Sequence, residues 1–172
     1  EGYLFDKPKG KEAFHAAARA CRAGGGMAGI SLSDPFCVDR HRADFRTLVK
    51  GLDIVLGNEH EWRSLYETDD LGAALEQAAQ DSDLIVCTRS GHDVVIVKGA
   101  DTVTVPVNRV TPLDTTGAGD QFAAGFLYGV VTGKPLDVAG RMGCIAAAEV
   151  IAHYGARPEA DVLEMFRAEG LI

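Results

Sequence analysis

The chain has 172 residues, of which 47% are apolar and 24% charged, and its formal net charge is −8. That length can bury a core of its own, and the composition is ordinary for a globular protein. The negative balance excludes a general electrostatic grip on nucleic acid or anionic lipid, and no apolar run reaches the ~18 residues of a membrane-spanning helix.

In chain order, the apolar run at 2–5 predicts a short strand that begins at once. The chain opens without methionine, cap or linker, so it is expected to be a piece of a longer protein. Residues 11–22 are alanine-rich with helical apolar spacing, and the glycines at 24–26 end that helix. Residues 27–33 read as a buried strand, and Ser-Asp-Pro-Phe at 33–36 as a break. Residues 39–50 predict a helix with Phe45, Leu48 and Val49 inward. A strand at 53–58 follows, then helices at 59–66 and 71–80, then a strand at 83–88. Residues 93–99 and 101–107 predict a hairpin around a Gly-Ala-Asp turn. Three helices close the chain, at 119–131, 136–153 and 159–168. Alternating strand and helix through the first half predicts a mostly parallel sheet with helices on both faces, in one α/β domain or part of one.

Several motifs can be set aside on spacing. Cys21, Cys37, Cys87 and Cys144 include no C-x-x-C pair, so they fit buried thiols in a reducing cytoplasm. "HEWRS" at 60–64 lacks the second histidine of a zinc-protease helix, and the other histidines show no ligand spacing. "GVVTGKP" at 129–135 is one residue short of a phosphate-binding Walker loop, and proline replaces its magnesium-binding hydroxyl. It reads as a helix stop followed by a Pro-started helix. "GAGDQF" begins like a dinucleotide fingerprint, but Phe122 fills the third glycine position.

The informative stretch is "DTTGAGDQFAAGF", 114–126. A helix N-terminus carries amides without partners and a positive dipole end. Small residues at Gly117, Ala118 and Gly119 let an anion approach that backbone. The apolar residues Phe122, Phe126, Leu127, Val130 and Val131 predict that the helix is buried and rigid. Asp120 stands at its start. A carboxylate beside an anion site repels the anion, which suits a group that takes a proton from an attacking hydroxyl. A helix-capping or first-turn acid beside a tight turn is the competing reading. The residues alone leave both open.

This stretch resembles the C-terminal signature of the ribokinase-like carbohydrate kinases, the PfkB family. "NEHE" at 58–61 resembles the family's N-x-x-E motif, "CTRSG" at 87–91 its nucleotide-contacting turn, and "AAAEVIAHYGARP" at 146–158 its late helix beside the adenine. "GYLFD", "SDPFCVDRHR" and "GARPE" are most similar to bacterial sugar kinases near adenosine kinase. The resemblance implies a three-layer α/β/α, Rossmann-like domain. Residues 1–172 would be its C-terminal, nucleotide-binding part, with the N-terminal half, the lid and the acceptor-selecting segment absent. It implies an ATP-dependent kinase that phosphorylates a hydroxyl of a sugar or nucleoside. A non-catalytic nucleotide-binding fragment needing a missing N-terminal half is the alternative.

The resemblance also implies roles. Asp120 is the base, and the amides of Gly117, Ala118 and Gly119 form the anion hole. Asn58 and Glu61 position Mg2+ and phosphates through water, although a cap after a strand accounts for Asn58 equally well. Thr88, Ser90 and Gly91 lie along the nucleotide, and Cys144 and Gly155 belong to the segment beside the adenine. Asp114 and Thr116 bind a monovalent cation such as K+. The expected partners are a small sugar or nucleoside and either a second copy or a companion N-terminal segment, with no nucleic acid and no membrane. The expected setting is cytoplasmic. Two departures stand out: Asp93 replaces a glycine of the nucleotide turn, and Thr111-Pro112 is untypical.

Overall fold

The computed structural model describes residues 1–172. A 3-10 helix at Gly2–Asp6 precedes α1 (Gly10–Ala23), β1 (Gly29–Ser31) and α2 (Pro35–Leu48). Then come β2 (Ile54–Asn58), α3 (Glu59–Tyr66), α4 (Leu71–Asp81), β3 (Leu84–Arg89), β4 (His92–Lys98) and β5 (Asp101–Val105). The helices α5 (Ala118–Val131), α6 (Leu136–Val150) and α7 (Val162–Ala168) complete the chain. The strands form one sheet in the order β1-β2-β3-β4-β5. β1 runs parallel to β2, and β2 parallel to β3, with Gly29 beside Ile54 and Asn58 beside Thr88. The α/β class and the mostly parallel sheet match the sequence reading.

The chain divides into two compact units, Glu1–Arg89 with Val95–Thr102, and Ser90–Val94 with Val103–Ile172. In the first unit, α1 to α4 bury Phe14, Phe45, Trp62, Leu65 and Ala78 against Ile30, Val55, Ile85 and Val97 of the strands. Trp62 is fully buried, and its indole N–H donates to the carbonyl of Val86 at 3.1 Å. In the second unit, α5 and α6 approach so closely that glycine is required. A Cβ on Gly125 would stand 2.6 Å from the carbonyl oxygen of Met142, and one on Gly143 2.8 Å from the Phe122 ring. Beyond that pair, Met142 and Ile145 pack with Phe166 and Leu171.

Five expectations change, the first being that the strand read at 27–33 is confined to Gly29–Ser31. The run at 2–5 is a 3-10 helix, closed by Leu4 N–H to the Glu1 carbonyl and Lys7 N–H to the Leu4 carbonyl. Ser-Asp-Pro-Phe starts a helix instead of breaking the chain. Asp34 is the N-cap, its side chain accepting from Cys37 N–H at 2.9 Å, and Pro35 fills the first position. The last two helices are shorter than predicted, α6 ending at Val150 and α7 beginning at Val162 behind its Asp161 cap. Finally, α5 is buried along Phe122, Gly125, Phe126 and Gly129 and not all round, since Val131 is 70% exposed. No helix is long and apolar enough to cross a membrane.

Candidate functional site

Parallel strands that end side by side leave their last residues and the following loops free for ligand work. In the first unit, Asn58 ends β2 directly beside Thr88 of β3. Asn58 caps α3, its side-chain oxygen accepting from the amides of His60 at 2.9 Å and Glu61 at 3.0 Å. Glu61 reaches back, accepting from Asn58 N–H at 2.7 Å and from the Asn58 side-chain amide at 2.6 Å. The two residues thus meet, as a reciprocal capping box. Burial pushes the Glu61 carboxyl up to about 7, against the pull of the Asn58 amide, and the charges of Asp34 and Glu1 push the same way. Glu61 is only 4% exposed. As it stands the pair is a structural cap, and offering Glu61 to a hydrated cation requires loosening it.

Two features at the end of β1 were not singled out from the sequence. Ser33 holds φ at +78°, a strained value for a residue with a Cβ. Its hydroxyl donates to the Glu1 carboxylate. Asp34 is held below the usual carboxylate range despite burial, which acts the other way, by the Tyr3 hydroxyl and the amides of Cys37 and Phe36. The legible signal for Asp34 was Asp-Pro as an N-cap signature; nothing in the residues marks Ser33 as strained.

In the second unit, Gly117 is the N-cap of α5 with φ +82°. A Cβ there would also lie 2.9 Å from both the Cβ and the carbonyl oxygen of Ala156, so this glycine is demanded by the fold. Gly119 differs: it is exposed, and a Cβ on it would meet nothing within 4 Å. Within this unit the amides of Gly117, Gly119 and Asp120 have no hydrogen-bond acceptor, whereas Ala118 N–H donates to the Thr115 carbonyl at 3.2 Å. The Gly117 and Gly119 amides are thus without an acceptor in this unit, and the Ala118 amide closes the turn. Asp120 is the acid of the first turn, exposed and without a side-chain partner in this unit.

The turn before α5 is fixed by Asp114. One oxygen accepts from Thr116 N–H at 2.9 Å and the other from Gly155 N–H at 3.1 Å. The Thr116 side chain and amide, followed by the Gly155 amide, hold this carboxyl below its ordinary range. Leu113 N–H donates to the Ile151 carbonyl at 2.8 Å. Asp114, Thr116, Gly117 and Gly155 are thus brought together. Ser90, at φ +52°, and Gly91 form the β3–β4 turn. Asp93 is exposed, and its charge adds to burial in pushing the Cys144 thiol up to about 11. Cys144 is buried and inert as a nucleophile at neutral pH. No group of three or more His, Cys, Asp or Glu side chains is placed to hold a metal ion by direct ligation.

Residues 1–162 match the profile of the pfkB family carbohydrate kinases. A protein of Archaeoglobus fulgidus described as an uncharacterized sugar kinase is 38% identical over 120 residues, which make up 69% of this chain and 48% of that protein. The crystal structure of a probable sugar kinase from Rhizobium etli CFN 42 is 43% identical, with a TM-score of 0.97 over 99% of this chain and 53% of its own. Adenosine kinase from Sinorhizobium meliloti is 41% identical, with a TM-score of 0.95 over 98% of this chain and 52% of that one. The chain therefore spans about half the length of these relatives. A long signature at the start of α5, a profile match over nearly the whole sequence and near-superposable backbones agree: the chain belongs to the pfkB family of carbohydrate kinases.

Proposed function

We propose that the chain is the nucleotide-binding part of an ATP-dependent kinase that transfers the γ-phosphoryl group to a hydroxyl of a sugar or nucleoside. The observation that carries this reading is the start of α5. Unclaimed glycine amides, a site open to a ligand at Gly119 and an unpartnered carboxylate at Asp120 occur in one turn. An amide-lined helix N-terminus suits a transferring phosphoryl group, whose charge sits on its peripheral oxygens. Asp120 takes the proton of the attacking hydroxyl. Thr88, Ser90 and Gly91 line the nucleotide, and Cys144 and Gly155 lie beside its base. Asn58 and Glu61, once their mutual cap loosens, hold Mg2+ through its water shell, as a hard cation that dehydrates reluctantly prefers. Magnesium supplies neutralisation of phosphate charge. A monovalent cation at Asp114 and Thr116 is part of the same proposal, and exchanging K+ for a bulky organic cation is expected to lower turnover.

The similarity to an adenosine kinase makes a nucleoside the first acceptor to try, and the four unpaired cysteines support a reducing, cytoplasmic setting. The test is calorimetric titration of the chain with Mg·ATP, followed by a phosphoryl-transfer assay over nucleosides and sugars, with and without a companion segment supplying the other half. Saturable uptake of Mg·ATP with transfer supports the kinase. Uptake without transfer in either setting supports a binding module. No uptake overturns the reading.

A further inference from the structure

Glu149 sits in the last turn of α6, where the helix dipole disfavours a carboxylate. Its side chain is only 7% exposed. A buried acid at the wrong end of a helix calls for partners, and they come from the chain beyond. One oxygen accepts from the amides of Glu159 at 2.9 Å and Ala160 at 2.8 Å, and His153 stands 3.4 Å from it. Burial works against the charge, but the amides of Ala160 and Glu159, with His153, hold the Glu149 carboxyl below its ordinary range. Its other oxygen is buried without a partner. Glu149 therefore closes residues 151–160 into a ring whose far end is tied back to α6.

The middle of that ring lies against the turn before α5. Gly155 donates to Asp114, Ala156 lies against Gly117, and Ile151 accepts from Leu113. We infer that Glu149 is a positioning residue for the phosphate-binding turn: by gripping the amides of Glu159 and Ala160 it holds the 151–160 loop against residues 113–117. This rests on reading that turn as the phosphate site. Glu149 touches neither phosphate nor the reacting hydroxyl in this scheme. It acts through the loop.

The test uses the full chain. In the unmodified protein, amide exchange at Thr116, Gly155, Glu159 and Ala160, followed by NMR, is expected to report one shared opening. Distinct protection for the first two and the last two overturns the inference, whatever any variant does. Glu149→Met keeps the length and removes the acceptors. It is expected to speed exchange at all four amides by about tenfold or more and to weaken Mg·ATP by a similar factor. Glu149→Gln retains a carbonyl oxygen for the two amides and is expected to restore most of both. Faster exchange confined to Glu159 and Ala160, with Mg·ATP affinity unchanged, overturns the inference, as does equal loss in the Met and Gln variants. If the unmodified chain takes up no Mg·ATP, the kinase reading fails by itself, and the exchange pattern still decides this one.

Discussion

Asp120 and Glu61 are carboxylates in opposite circumstances, and each makes its own prediction. Asp120 is exposed and unengaged in its unit. In any preparation that transfers phosphoryl, Asp120→Asn is expected to lower turnover by about 10²–10⁴-fold while calorimetry shows Mg·ATP affinity retained. Undiminished turnover would remove the base assignment. Glu61 is buried, with its carboxyl raised from 4.5 to about 7. The unfolded chain then releases this proton before the folded chain does, so the folded state loses stability as pH rises between 4.5 and about 7. The loss is roughly 3 kcal/mol. Urea unfolding across that window should show the decline, and Glu61→Gln should flatten it. The glutamine variant starts from a lower baseline, because its amide faces the Asn58 side-chain N–H. Asp6 works in a separate window. Arg40 and then His41 hold it down to about 2, so its contribution is complete above its ordinary 3.8 and is lost as pH falls toward 2.

At the scale of elements, the glycines of α5 and α6 set the closest helix contact of the second unit. Gly125→Ala places a methyl 2.6 Å from a backbone oxygen that cannot move aside without shifting α6. The expected cost is about 1–3 kcal/mol in denaturant unfolding, and an unchanged midpoint would mean that the helices separate easily. What the sequence made legible follows the same logic. Elements with a strong local signal were readable: α3 runs over 59–66, as its spacing predicts, and β2 and β3 are apolar runs of the kind parallel sheets require. Elements whose limits depend on distant partners were not. Gly2–Asp6 has strand-like residues but turns upon itself through local hydrogen bonds. Helix α7 starts late because the Glu159 and Ala160 amides are already bonded to Glu149, leaving Asp161 as the first free cap. The candidate site divides similarly. Gly117, Asp120 and the Asn58–Glu61 pair could be found from motif spacing, whereas Glu149 could not, since a lone acid four residues before a histidine carries no signature.

Over the whole molecule, the thiols report how the cores are sealed. Cys37, Cys87 and Cys144 are buried, as the sequence reading expects of all four, whereas Cys21 is exposed. Burial pushes the Cys37 thiol up to about 11 and the Cys87 thiol up to about 12, so neither supplies thiolate to a reagent at neutral pH. A thiol-reactive dye is therefore expected to label Cys21 alone in the native chain and the other three only after denaturation; prompt labelling of all four would mean that the interior breathes on the reagent's timescale. Against those buried thiols, Gly119 stands out for the opposite reason. Its neighbours leave room for a side chain, and an alanine in the first turn of α5 would gain helix stability of up to about 1 kcal/mol. A screen that rewarded heat resistance alone would discard this glycine. Gly119→Ala is expected to melt higher and grip Mg·ATP more weakly; a higher melting temperature with undiminished affinity would mean that the bare position serves no ligand.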